Sequence, residues 1–309
     1  MENILTASFF VGILASGIRL ATPYLYAALG ETLGQRSGVL NLGVEGQMLL
    51  GAFSAFYVTF ETGNVWLGML AAMIIGAAMG LAMAYVSVDL QAVQGISGIG
   101  FYLFGLGTST LLFQMLLGTV ETVQGFSPVR IPVLSDIPVV GEVFFRQNIL
   151  VYIAFALVPV AQFVLTKTTL GLKIRSVGEN PAAADSLGVS VAKIRYITVT
   201  VGGMMSGIAG ASMSIGLLNV FQQNMTSGLG FIAVALVYFG GWQPVGVMLG
   251  ALLFSMVNAL QLRLQVEGVP IPSDLMIMMP YVLTIIALVL TTQRVRKPSA
   301  LTKPFDRGG

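Results

Sequence analysis

Residues 196–262 read YITVTVGGMMSGIAGASMSIGLLNVFQQNMTSGLGFIAVALVYFGGWQPVGVMLGALLFSMVNALQL, 67 residues without one Asp, Glu, Lys or Arg. As a single helix this stretch would be about 100 Å long, some three times the roughly 30 Å hydrocarbon core of a bilayer. It must therefore turn back inside itself. The cluster Gly240-Gly241-Trp242-Gln243-Pro244 breaks its later half, because Gly and Pro punctuate helices. That predicts three passes, near 196–218, 228–240 and 244–262. The middle one is too short to span alone, and is either a short tilted helix beside thinned lipid or a half-helix shielded by protein.

Outward from this stretch the pattern repeats. Residues 62–88, 91–120, 147–166 and 275–293 also carry no charge, and each approaches or exceeds the roughly 20 residues one spanning helix needs. The whole chain of 309 residues has 15 Lys+Arg and 13 Asp+Glu, 56% hydrophobic residues and a mean hydropathy of +0.88. Soluble domains are about 25% charged, so 9% cannot cover a water-facing surface. An all-α polytopic membrane protein is expected, one permease-sized domain over 1–309 with spans near 4–30, 38–60, 65–86, 92–117, 147–166, 196–218, 228–240, 244–262 and 274–292. That is about nine crossings, within a range of eight to ten. Arg19 and Pro23 are the residues that would divide the first span.

Charge bias orients the crossings, because cytoplasmic loops collect Lys and Arg. With nine spans, one side holds Arg36, Lys167, Lys173, Arg175, Lys193, Arg195, Arg294, Arg296, Lys297, Lys303 and Arg307, against Arg130, Arg146 and Arg263 opposite. Merging 228–262 into one crossing would balance the sides at seven each. The biased arrangement puts the N-terminus outside, an extracytoplasmic loop at 118–146, a cytoplasmic loop at 167–195 and a cytoplasmic tail at 293–309. The sequence around Met1-Glu2-Asn3 has no basic n-region or A-x-A-like site, so no cleavable signal is expected.

Composition also removes chemistry. Without His or Cys the chain has no imidazole or thiolate metal ligands, no Ser-His or Cys-His nucleophile, no haem ligand and no disulfide. No G-x-x-x-x-G-K-[ST] run is present, so nucleotide-driven movement would need an ATPase on another polypeptide. The net charge of +2 reports loop asymmetry in a membrane protein and implies no nucleic-acid partner. The pairs Gly34/Gly38, Gly76/Gly80, Gly203/Gly207 and Gly246/Gly250 have G-x-x-x-G spacing, which suits close helix packing and is also simply frequent in membrane helices.

The informative water-exposed segment is KTTLGLKIRSVGENPAAADSLGVSVAKIR, residues 167–195. Asn180 is a good N-cap, Pro181 suits the first helical position, Ala182-Ala183-Ala184 favours helix and Gly188 can end it. Glu179 and Asp185 lie at and within this short helix. Such a helix between basic flanks could dock into a partner's groove or merely turn the chain between two spans.

These residues resemble a known family. Ala183-Ala184-Asp185-Ser186-Leu187-Gly188 has the Ala-Ala-x-x-x-Gly spacing of the cytoplasmic coupling motif of ABC importer permeases, with Ala182 where that motif carries Glu. The longer run from Gly171 to Val189 is closer still to the branched-chain amino acid and simple-sugar permease group. Arg36-Ser37-Gly38-Val39-Leu40-Asn41-Leu42-Gly43-Val44-Glu45-Gly46-Gln47-Met48 resembles the early signature of nucleoside and simple-sugar permeases. Residues 224–233 with Phe239-Gly240-Gly241-Trp242-Gln243-Pro244 resemble their late one. Asn41-Leu42-Gly43-Val44-Glu45-Gly46 and Leu134-Ser135-Asp136-Ile137-Pro138 look most like the nucleoside importers. The resemblance implies a cobalamin-importer-like fold of about ten helices. It also implies a second permease, different but homologous, cytoplasmic ATPase chains that bind ATP and Mg, and an extracytoplasmic substrate-binding lipoprotein. Residues Gly178, Glu179, Asn180, Pro181, Ala182, Ala183, Ala184, Asp185 and Gly188 would then contact the ATPase, in a bacterial inner membrane. This chain would itself bind no cofactor, and its surface would meet lipid.

Polar residues inside spans are the candidates for a solute path, because they are costly in hydrocarbon and tend to face the bundle interior or water. Asn41, Glu45 and Gln47 could meet solute hydroxyls, or Glu45 could fix a neighbouring helix. Gln91, Gln94, Ser97 and Gly98 form a second set, with 91, 94 and 98 on one helical face, and Asn258 with Gln261 a third. Packing through interhelical hydrogen bonds is the alternative for each. The Pro-rich 118–147 loop could receive a binding protein or cap the mouth. A nucleoside is expected as solute, with a ribose-like sugar or a branched-chain amino acid as the alternative. A secondary transporter or channel is the reading from another class.

Overall fold

The computed structural model describes residues 7–132, 134–267, 272, 275, 278–282, 285–286, 289 and 296–306. The expected span at 274–292 falls largely outside the described residues. Among the described residues, eleven continuous α-helices are formed: α1 (Ala7–Arg36), α2 (Val44–Thr62), α3 (Val65–Val88), α4 (Gln94–Leu116), α5 (Val140–Phe144), α6 (Ile149–Lys167), α7 (Thr169–Glu179), α8 (Pro181–Ser186), α9 (Val191–Ser214), α10 (Leu229–Phe239) and α11 (Pro244–Val266). No strand is assigned among the described residues, only two isolated bridges, Thr122 with Val220 and Pro128 with Asn148.

Five of these helices, α1, α3, α4, α6 and α11, are long and apolar enough to cross a membrane. Helices α2 and α9 have 19 and 24 residues but are less apolar. The reason is their position: α9 packs against α1, α2 and α3, so its Thr198, Ser206 and Ser212 are buried in protein and need no lipid-compatible side chain. Close approach makes this possible. A Cβ on Gly80 would lie 2.7 Å from the Val199 carbonyl oxygen, and one on Gly203 would lie 2.6 Å from the Gly80 Cα. Two of the four G-x-x-x-G pairs therefore face each other across α3 and α9.

The 67-residue apolar stretch holds three helices, α9, α10 and α11, and the sequence boundaries shift for local reasons. Arg19 and Pro23 do not divide the first helix, since α1 runs unbroken over 30 residues to Arg36. The expected helix start at 38 moves to Val44, because Gly38 (φ +96°) turns the chain and residues 39–43 re-enter the bundle without helix. The loop at 167–195 contains an additional helix, α7, capped by the Thr168 hydroxyl, which accepts from the Gly171 N–H at 3.1 Å. Gln91 lies before α4 with a positive φ of 50°, so it does not share a helical face with Gln94 and Gly98.

The two ends of the bundle differ. At one end the 118–146 loop folds back on the helices: Phe126 N–H donates to the Ile215 carbonyl, Val123 N–H to that of Asn219, and the Phe126 ring packs edge-on against Trp66. At the other end the α1–α2 corner, α7, α8, the α10–α11 turn and residues 298–302 converge. Ala300 N–H donates to the Gly178 carbonyl at 2.9 Å and Thr302 N–H to that of Gly38 at 3.0 Å. Ala300 and Leu301 are buried there.

Candidate functional site

Helix α8 starts as its sequence dictates. The Asn180 side-chain oxygen accepts from the Ala183 N–H at 3.1 Å, Pro181 occupies the first turn, and Gly188 follows at φ +82°. Its two faces differ sharply. Ala184 is buried among Leu165, Ile174, Val177, Val191 and Ile194, whereas Ala182 and Ala183 are exposed and Leu187 is 84% exposed. Nothing lies within 4 Å of a Cβ built on Gly188. Of the residues expected at a partner's surface, Ala184 is therefore the anchor of α8 to its own bundle. Ala182, Ala183 and Gly188 are on the open side, and Leu187, which the motif spacing treats as variable, is the most exposed apolar group there.

The segment before α8 is gripped tightly. Gly178 packs on the Arg36 carbonyl with no room for a Cβ, and the Glu179 carboxylate accepts from the Ser299 hydroxyl at 3.0 Å. The tail thus lies on the same end of the molecule as α7 and α8.

The polar candidates inside the bundle fall into two groups. Glu45 sits in the first turn of α2, 1% exposed. Its Oε1 accepts from the Thr226 hydroxyl at 2.6 Å and the Gly228 N–H at 2.7 Å, and its Oε2 accepts from the Gly230 N–H at 2.6 Å. The two amide donors are N–H groups at the start of α10, where a carboxylate is favoured by both hydrogen bonding and the helix dipole. A Cβ on Gly230 would lie 2.6 Å from the Glu45 Cα, so only glycine lets the two strands of backbone approach this closely. Glu45 therefore ties the early sequence block to the late one.

Asn41 and Gln47 belong to a neighbouring network. The Asn41 Nδ2 donates to Gln47 Oε1 at 3.1 Å, its Oδ1 accepts from the Gly43 N–H at 2.9 Å, and its N–H donates to Glu31 Oε1 at 3.0 Å. Gln35 Nε2 donates to the same Glu31 oxygen at 3.0 Å, while Gln35 Oε1 accepts from Trp242 Nε1 at 2.8 Å. Gln94 accepts from the Leu40 N–H at 2.8 Å. Ser97 lies apart, its hydroxyl bonded to the Val93 carbonyl of its own helix. Sequence reasoning missed Glu31 and Gln35, because the first span was expected to stop at 30; a carboxylate just beyond a hydrophobic run looks like a surface charge.

A polar cavity of about 170 Å³ opens beside the Glu45 clamp. Tyr24, Thr226, Ser227, Asn258, Gln261 and Tyr281 line it together with apolar Leu229, Ile232 and Phe254. Of the predicted path residues, Asn258 lines this cavity; Glu45 holds its wall through Thr226, and Asn41, Gln47 and Gln94 brace the adjoining corner. Among the described residues no charged side chain lines it, and no cluster of three His, Cys, Asp or Glu suited to a metal occurs.

The family described as branched-chain amino acid transport system / permease component matches residues 13–288. The chain belongs to that permease family. Among its relatives, the putative glucose ABC transporter permease protein TsgC13 of Haloferax volcanii is 40% identical over 97% of this permease and 99% of its own length. The guanosine ABC transporter permease protein NupQ of Bacillus subtilis is 37% identical over 93% of this chain and 94% of its own. The nucleoside ABC transporter permease protein NupC of Lactococcus lactis is 35% identical over the same shares. Bacillus subtilis holds a second, more distant match, the guanosine ABC transporter permease protein NupP, 28% identical over 82% of the permease and 75% of its own length. No solved structure matches.

Proposed function

We propose that this permease is one transmembrane half of an ATP-driven importer for nucleosides. A second, different permease completes the pathway, cytoplasmic ATPase chains bind ATP and Mg, and an extracytoplasmic lipoprotein delivers the solute. The observation that carries this reading is the two-faced α8. Its Ala184 face is rooted between α6, α7 and α9, and its Ala182–Ala183–Leu187 face is left exposed by the described residues. An exposed leucine beside small residues is what a partner's groove can receive, since burying such a side chain contributes about 1.5–3 kcal/mol. With the ATPase on α8, that side of the membrane is the cytoplasm and the tail lies within it.

In this mechanism, closure of the ATPase chains displaces α8 and α7 together, the corner at residues 31–45 follows, and the cavity beside Glu45 exchanges access between the two sides. Glu179, Asn180 and Asp185 frame the docking helix, and Gly178 transmits through its contact with Arg36. Asn258 and its polar neighbours offer hydroxyl and amide groups without a fixed charge, which suits a neutral solute with several hydroxyls and an aromatic base better than a zwitterionic amino acid, whose charges would need partners when desolvated. The nucleoside assignment is supported by NupQ and NupC. A sugar is the second reading, favoured by the 40% identity to TsgC13.

Uptake into proteoliposomes holding both permeases and the ATPase decides between them. The expected result is ATP-dependent guanosine or uridine uptake that excess nucleoside abolishes and excess glucose or leucine does not. Competition by glucose alone would establish the sugar reading, and uptake without any ATPase would overturn the ABC assignment.

A further inference from the structure

We propose that Trp242, held by Gln35 and Arg36, is the positioning residue that carries displacement of the α7–α8 segment to the short helix α10 and hence to the polar cavity; this rests on α8 being the coupling helix.

The first link is the contact between Gly178 and the Arg36 carbonyl, where no Cβ fits. Residues 300–302 pin it from the other side, through Ala300 to Gly178 and Thr302 to Gly38. The end of α7 cannot slide past the α1–α2 corner without losing these bonds. The second link leaves the same corner: Arg36 Nε donates to the Trp242 carbonyl at 2.8 Å, and Trp242 Nε1 donates to Gln35 Oε1 at 2.8 Å. Trp242 is 3% exposed and has a positive φ of 55°. A bulky residue keeps that backbone conformation only where its surroundings impose it.

The third link is α10 itself. Trp242 N–H donates to the Val237 carbonyl at 3.0 Å, and its ring lies edge-on to Tyr238 with centroids 4.8 Å apart. The helix has 11 residues, about 16 Å, and is bounded by Gly228 at φ +90° and Gly241 at φ +64°. It is thus a rigid bar between two glycine joints. The corner grips both ends, Glu45 at the first turn and Gln35 with Arg36 beyond the last. Since Thr226, Ser227, Leu229 and Ile232 line the cavity, moving the bar changes the cavity wall. The Trp242 indole N–H is the bar's own side-chain donor to the lever, beside the Arg36 bond to its carbonyl. Its loss also leaves the buried Gln35 Oε1 without that donor.

The chain has no Cys, so one introduced thiol reports unambiguously. Ser227→Cys places it on the exposed turn leading into α10. In the full complex, maleimide labelling of this residue, read by the mass of this chain, is expected to differ at least about threefold between nucleotide-free and vanadate-trapped states, as a shift between two populated conformations requires. Adding Trp242→Phe, which keeps a ring and removes the N–H, is expected to abolish that difference and to lower solute moved per ATP hydrolysed in a complex that still assembles. Should that variant not assemble, Arg36→Lys, which removes the Nε donor, carries the same expectation. Nucleotide-independent labelling of Ser227→Cys alone, with ATP-driven uptake intact in the unmodified complex, would overturn the transmission proposal and spare the importer reading. A nucleotide-dependent difference that persists unchanged in the Trp242→Phe or Arg36→Lys complex would overturn it too. Uptake that needs no ATP would instead remove the importer reading itself.

Discussion

Glu45 is held by three donors whose sequence positions lie more than 180 residues away. Replacing it with Gln leaves one acceptor and turns an NH₂ toward backbone N–H groups. A hydrogen bond to a charged group is worth about 1.5–3 kcal/mol, so Glu45→Gln is expected to lower stability by that order and to reduce the midpoint of thermal unfolding measured in detergent. An unchanged midpoint with lost uptake would place the carboxylate in direct contact with solute instead. Leu187 tests the opposite kind of residue. Because it is 84% exposed, Leu187→Asp should leave stability within about 0.5 kcal/mol while copurification with the ATPase falls at least about tenfold, roughly the 1.4 kcal/mol expected from losing one apolar anchor. The sequence made Glu45 conspicuous as an acid in an apolar setting. It could not name Thr226, Gly228 and Gly230 as its partners, because nothing local encodes a contact between distant segments. Leu187 was hidden for the reverse reason: a leucine in a loop attracts no notice until its exposure is known.

Helices written by capping and composition were legible, and those made by tertiary contact were not. Asn180-Pro181 announces α8, and Gly240-Gly241-Trp242-Gln243-Pro244 separates α10 from α11. Helix α7 lies in what the sequence presents as a basic flank of the short helix; its Gly171 and Gly178 are there because neighbouring backbone leaves no space for a Cβ. Residues 293–309 are expected only as a cytoplasmic tail, with nothing in the sequence to dock them; Ala300 and Leu301 are buried against the corner. That placement yields a prediction at this scale. Ala300→Asp puts a charge into a buried position facing Gly178, a change costing several kcal/mol if the segment stays docked. The segment should therefore detach, leaving insertion normal, exposing residues 296–306 to added protease, and reducing ATP-dependent uptake. Protease resistance equal to that of the unchanged chain would contradict the docking.

For the whole molecule, the all-helical membrane character followed from charge scarcity and long uncharged runs. The interior order of helices did not, because α2 and α9 look less suited to lipid than their neighbours and are, in fact, largely enclosed by protein, as α1 also is. The facing glycines of α3 and α9 show how that enclosure is reached: with little hydrophobic driving force between helices in lipid, close backbone contact stabilises the bundle. The same bundle then has one structured end carrying the 118–146 loop and one where α7, α8, the corner and residues 298–302 meet. The proposed importer works only if the second end is the one a motor grips. Single cysteines at Ala183 and at Val129, joined to the ATPase in turn by a short thiol crosslinker, test this most directly. The Ala183→Cys chain is predicted to form the adduct and to change its yield with bound nucleotide, and the Val129→Cys chain to form none. Adduct formation through position 129 with none through position 183 would contradict it.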